Sequence, residues 1–211
     1  MSKQTMSIHR ALGELKTYDD RITKASELQF VIANKKSNEK IAGKTIEEFK
    51  SHVKGGFASY YALTENQKRL KAAVVLSNAT TKVKIGGVEY SVAEAIERKA
   101  KIHHDISFLN KLKSQFNIQN KRVEEANDAL PEKLESYLQS ILGDKDKRTV
   151  EDIAAHTKAF EERNKYELLD PCNITMQIEK LEESITSFKT EVDYILSESN
   201  AVTFIDVDFV D

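Results

Sequence analysis

Residues 77–96, SNATTKVKIGGVEYSVAEAI, decide the reading of this chain. Val83 and Ile85 alternate with Lys82 and Lys84, Gly86-Gly87 supplies a turn, and Val88 and Tyr90 alternate around Glu89. Two short alternating runs about a Gly pair predict a β-hairpin over residues 81–90. Immediately after it, Ser91-Val92-Ala93-Glu94 matches a capping box, in which a Ser hydroxyl and a Glu three residues on satisfy each other's orphan backbone groups. A helix over 91–128 follows, with Val92, Ala95, Ile96, Ile102, Ile106, Leu109, Leu112, Phe116 and Val123 on one face. So the hydrophobic period switches from 2 to 3.6 within a few residues, and the hairpin lies between long helices.

Upstream, Thr45-Ile46-Glu47-Glu48 is another capping box and opens a helix over 45–77. Phe49, Val53, Gly56, Tyr60, Leu63, Gln67, Leu70 and Val74 alternate steps of four and three, a heptad pattern that favours a supercoiled partner. Gly55-Gly56 interrupts this helix as a kink or a close crossing. A phosphate-cradling turn is rejected because no Lys-Ser/Thr follows the glycines. A first helix occupies residues 7–36. Its stripe of Ile8, Leu12, Leu15, Ile22 and Ala25 is clear to Leu28, and Phe30-Val31-Ile32-Ala33 either extends the helix or leaves it. Asn34 to Lys44 reads as an exposed turn.

Downstream, residues 131–164 form a short-helix subdomain. Pro131 marks an interruption or a new start, and one helix runs from Glu132 to Leu142 and stops at Gly143; another, capped by Thr149 with Asp152, runs through Phe160. Asp144 to Arg148 between them is a solvated loop, and Tyr166 to Leu169 is extended. Asp170-Pro171 starts a helix over 170–199, with Asp as N-cap and Pro first inside. Its stripe Ile174, Ile178, Leu181, Ile185, Phe188, Val192, Ile195 is the cleanest heptad in the chain. Ile205, Val207 and Phe209 then alternate with Asp206 and Asp208, a terminal strand over 202–210. Short connections make sequential helices antiparallel neighbours. The expected fold is mainly α: a single domain over residues 1–211, an elongated antiparallel long-helix bundle. The hairpin and the C-terminal strand would pair as a small β cap at one end, since a lone hairpin is marginal in water.

Composition agrees. The 211 residues include 7 Gly, 2 Pro and no Trp, with 31% charged and 40% apolar, as long-helix proteins have. A net charge of -2 argues against a global basic field for nucleic acid. Lys35-Lys36, Lys40 and Lys44 form a basic loop without aromatic interleaving, so nucleic acid is not an expected partner. No 18-residue apolar run exists to span a membrane, and Met1 to His9 is too polar for a secretory signal. Cys172, the single cysteine, excludes an internal disulfide and suits a reducing compartment. Residues 170–211 carry ten acidic residues against Lys180 and Lys189, while the rest of the chain is net basic. The acidic last helix therefore pairs with basic faces either inside one chain or between subunits.

No pattern argues for an enzyme, a cofactor or a metal. His103-His104-Asp105 looks like a cluster, but adjacent helical residues point about 100° apart and do not converge on one ion. Asp206, Asp208 and Asp211 read as solvent-facing residues of a half-buried strand. Cys172 sits at a helix start, where a thiol's pKa falls, without a placed His or second Cys. The nucleophile elbow, dinucleotide fingerprint and Cys-x-x-Cys pairs are absent.

Three stretches carry a resemblance: Ile8-His9-Arg10-Ala11-Leu12 with Asp20-Arg21-Ile22; Ser77 to Thr81 with Gly87 and Ser91 to Arg98; and Val192-Asp193 with Glu198-Ser199-Asn200. In these the chain resembles a family of bacterial and phage proteins, some labelled septicolysin. It departs at Ala201, where the family's pattern has Trp, and in its extra segment Pro131 to Phe160. The resemblance implies a helical, coiled-coil-like fold and no established activity; versions with these segments look like those of phages and mobile elements. The expected function is accordingly a non-enzymatic, phage-type structural or interaction protein acting as a helical homo-oligomer. It would be a virion component or the binder of a host protein complex, in the host cytoplasm or the virion. The edge of the cap at Val83, Ile85, Tyr90, Phe204 and Val207 is the expected docking surface. A second reading is a small-ligand or nucleotide module with Asn78, Thr80, Arg98 and Lys101 at helix ends near the cap.

Overall fold

The computed structural model describes residues 2–37, 39–143 and 149–210. It is mainly α, with three separate antiparallel strand pairs among the described residues. In chain order the elements are β1 (Ser2–Ser7), α1 (Ile8–Ser26), β2 (Lys40–Ile41), β3 (Lys44–Thr45), α2 (Ile46–Thr80), β4 (Lys82–Ile85), β5 (Val88–Ser91), α3 (Val92–Asp128), α4 (Leu130–Leu142), α5 (Val150–Asn164), α6 (Ile174–Val202) and β6 (Phe204–Phe209). Two compact units emerge: Met1–Ala100 with Ser187–Asp211, and Lys101–Thr186. The sequence suggests one domain because the division falls inside α3 and α6, whose apolar periodicity runs unbroken across it.

Both capping boxes form. The Glu48 N–H donates to Thr45 Oγ1 at 3.2 Å while the Thr45 N–H donates to Glu48 Oε2 at 2.8 Å. Ser91 and Glu94 exchange the same pair at 2.6 and 3.2 Å. Gly86 and Gly87 have φ of 56° and 78°, the two left-handed positions that a type I′ hairpin turn needs. Ile85 pairs with Val88 and Val83 with Tyr90 across that turn.

Several boundaries move. The first helix ends at Ser26 rather than reaching residue 36, so Phe30 to Ala33 leaves it. A two-residue ladder joins Lys40–Ile41 to Lys44–Thr45 through Ala42 and Gly43, both at positive φ. The second helix runs without interruption through Gly55-Gly56 to Thr80; what meets Gly56 is no crossing helix but the side chain of Leu28, past the end of α1, which occupies the space a Cβ would need. The last helix begins at Ile174 rather than 170, because Asn173 takes a left-handed φ of 52°. Asp170 still serves that helix, accepting the Ile174 N–H on Oδ2 at 2.7 Å. The expected loop from Asp144 to Arg148 lies outside the described residues.

The C-terminal strand does not join the hairpin. β6 pairs with β1, Phe204 opposite Ser7 through Phe209 opposite Ser2. Residues 2–7 contain one large apolar side chain, Met6, so apolar alternation does not mark them as a strand. Their place follows from α1: the Ile8 N–H donates to Thr203 O at 2.9 Å and Ser7 caps the helix through the Arg10 N–H. On the inner side Ile205, Val207 and Phe209 join Met6, Ile8, Ala11, Tyr18, Leu70 and Val74 in one buried cluster. α2 also holds the end of β6, where the Asn66 amide bonds both the N–H and the C=O of Val210 and Arg69 donates to Asp208 O.

On the outer face Asp206 accepts from Thr5 Oγ1 at 2.5 Å and pairs with Lys3 Nζ at 2.9 Å. The Thr5 hydroxyl, and then the Lys3 ammonium, hold its carboxyl below the ordinary value of 3.8. A carboxylate whose pKa is depressed on folding contributes stability above its unfolded value and loses it as pH falls through the folded one. Asp206→Asn is therefore expected to lower the urea midpoint at neutral pH, with the gap from the parent closing on acidification below 3.8. A gap independent of pH would sink this account.

In the second unit Leu109, Leu138 and Ile185 are buried. Asn127 bonds both the N–H and the C=O of Tyr166, and the Tyr137 and Phe160 rings lie 5.1 Å apart.

Candidate functional site

Of the residues read as ligand-binding, Asn78, Thr80 and Arg98 belong to the first unit. Thr80 lies in the last turn of α2 and donates to Leu76 O and Ser77 O of its own helix. Asn78 is half-buried one turn from the hairpin. Arg98 donates to the Tyr90 hydroxyl, and its guanidinium lies 4.6 Å from the Phe188 ring centroid and 5.5 Å from that of Tyr90. The cation therefore works inside the fold, against rings of β5 and α6. Lys101 falls in the other compact unit.

The hairpin is fastened to α6 at its turn. The Gly86 N–H donates to Glu191 Oε2 at 2.7 Å, and a Cβ there would meet Ser187 Oγ at 2.7 Å. Lys99 pairs with Asp193 at 2.5 Å, and in the second unit Lys113 pairs with Glu182 at 2.7 Å. Part of the acidic last helix thus pairs within its own chain.

The docking edge expected at the cap needs correction. Val83, Ile85 and Val207 are buried, Tyr90 is half-buried under Arg98, and Phe204 alone of the five is exposed. The reason is the strand period: apolar positions of a half-buried strand face its own core, leaving Lys82, Lys84, Asp206 and Asp208 outward.

Among the described residues no three His, Cys, Asp or Glu side chains gather as a metal ion would require. The His103 and His104 rings lie 4.0 Å apart on exposed helix surface. Asp206 faces Lys3 and Thr5, as above, and Asp211 lies outside the described residues. Cys172 is exposed and lines a cavity of about 260 Å³ with Leu112, Phe116, Leu168, Asp170 and Ile174. Asp170 Oδ1 is buried there with no hydrogen-bond partner among the described residues.

The feature that sequence reasoning passed over is the outward side of α2. Phe57 and Tyr61 are 52% and 58% exposed, and their rings join Phe30 and Tyr60 in a chain of edge-on contacts at 4.9 to 5.8 Å. Beside them a groove of about 640 Å³ is lined by Tyr60, Tyr61, Thr64, Glu65, Lys68 and Val210. Further along, Val75 and Leu76 are 60% and 67% exposed. A heptad search keeps one stripe per helix, so Phe57 and Tyr61, each one residue past the stripe, fall between its positions. The signal was there: apolar residues on two sides of one helix mean that each side needs a cover.

Comparison with protein-family models, curated proteins and solved structures finds no match. No helix among the described residues is long and apolar enough to cross a membrane.

Proposed function

We propose that the protein is a non-enzymatic structural or interaction protein that works as a homo-oligomer built through its long helices. The observation that carries this reading is how little of those helices is covered. In the 37 residues of α3 only Val92, Ala95 and Leu109 are buried, while Ile96, Phe108 and Ile118 are exposed. α5 buries no residue, and α2 exposes Phe57, Tyr61, Val75 and Leu76. Repeated large apolar side chains on outward helix faces mark interaction surfaces. The finer assignment, to a virion component or a binder of a host complex in the host cytoplasm or the virion, rests on the resemblance of Ser77 to Thr81 and Ser91 to Arg98 to phage-type proteins. Light scattering after size exclusion at low and high salt tests the assembly. A discrete multimer is expected at both, with smaller mass at high salt where charged helix faces contribute. A monomer at every concentration would overturn the reading.

A further inference from the structure

We infer that the cavity between α3 and the start of α6 is a binding site for a small apolar amine, anchored by Asp170. Its walls are apolar: Leu112 and Phe116 come from α3, Leu168 and Pro171 from the segment joining α5 to α6, and Ile174 from the first turn of α6. All of them lie in the second unit. Asp170 is the charged residue of this lining. An apolar wall with a few polar groups to fix orientation is the composition of small-molecule sites. Binding here needs no second copy of the chain.

The two carboxylate oxygens of Asp170 are bonded unequally. Oδ2 accepts the Ile174 N–H at 2.7 Å and so caps α6, whereas Oδ1 is buried with no partner among the described residues. A buried acceptor without a donor costs folding free energy, and more so for a charged group. A donor brought by a ligand removes that cost, and an ammonium adds the opposite charge. Because the cap uses the other oxygen, a ligand on Oδ1 leaves the start of α6 intact. Oδ1 is closed to the surface, so an incoming group has to shift the rim. Leu169 and Cys172, both exposed, are the lining residues with room to turn aside. At about 260 Å³ the cavity is slightly below the roughly 300–1,000 Å³ of drug-sized sites. An apolar cavity of about 150 Å³ already holds a benzene ring. The size that fits is therefore one ring with a short amine tail.

Titration calorimetry of the full chain with phenethylamine tests this, beside ethylbenzene and hydrocinnamate as its uncharged and anionic counterparts. The amine should bind with a Kd below about 1 mM, ethylbenzene about tenfold or more weakly than the amine, and hydrocinnamate not at all. Asp170→Asn keeps a side-chain oxygen for the α6 cap but removes the charge. It should weaken the amine about tenfold and leave ethylbenzene nearly unchanged. Alkylation of Cys172 by N-ethylmaleimide locates the site and should slow as the amine is added. Should Asp170→Asn lose helix content by circular dichroism, the contrast of the three ligands on the parent chain still decides. An amine Kd above about 1 mM would overturn the inference. So would ethylbenzene binding as tightly as the amine, a folded Asp170→Asn chain that keeps the amine affinity, or binding that leaves Cys172 alkylation unchanged.

Discussion

Truncation of Phe188 to alanine is expected to destabilise the first unit by about 3–5 kcal/mol. Its side chain is 2% exposed, its ring meets Tyr90 edge-on at 5.8 Å, and it carries the Arg98 guanidinium 4.6 Å from its centroid. Removal leaves a cavity and also takes the Phe188 ring from a half-buried cation that lies against Tyr90 as well. Because Ser187 and Glu191 of the same helix contact the hairpin turn, the loss should be felt there. Urea unfolding followed by circular dichroism reads the total. Amide exchange at Gly86 reads the local effect and should accelerate with it. A loss below about 1 kcal/mol, with Gly86 exchange unchanged, would mean that the hairpin does not depend on this ring.

The second large effect belongs to Leu70→Ala, expected to cost about 2–5 kcal/mol. Leu70 is wholly buried in the cluster that joins α1, α2 and β6, among Ala11, Tyr18, Val74 and Val207. A close-packed neighbourhood relaxes only partly around a deletion, so the cavity adds to the transfer cost. The control lies on the same helix: Tyr61→Ser on the open face of an isolated chain should shift the urea midpoint little, since exposed substitutions stay within about 0.5 kcal/mol. Equal losses for the two variants would contradict the two-faced description of α2.

Much of the local architecture was legible in the residues. The capping boxes at Thr45–Glu48 and Ser91–Glu94, the Gly86-Gly87 turn and the alternation of Phe204 to Phe209 all encode their outcome within four or five residues. Where the reading failed, the deciding contact was distant in sequence. Nothing in Ser-Lys-Gln-Thr-Met-Ser announces a strand; it becomes one because Thr203 meets the start of α1 and β6 offers a ladder. Arg98 looked available to a ligand because neither Tyr90 eight residues before it nor Phe188 ninety residues after it is marked as its partner. The cap at Val83, Ile85 and Val207 reads as a docking edge because an unpaired strand edge can accept another strand, whereas these side chains lie on the strands' own buried face.

The sequence by itself determined helix, turn and cap, since backbone hydrogen-bond satisfaction and the 3.6 and 2 periodicities act over a turn or a residue pair. It also placed apolar residues on two sides of α2, Leu63, Leu70 and Val74 on one and Phe57 and Tyr61 on the other. Only the tertiary structure decided which strand pairs with which, which face of α2 is spent on α1 and β6, and which stays open. Those choices follow from packing between segments as far apart as Thr5 and Asp206. Strand pairing and side-chain interdigitation reward contact without regard to separation along the chain, so no window of residues contains them.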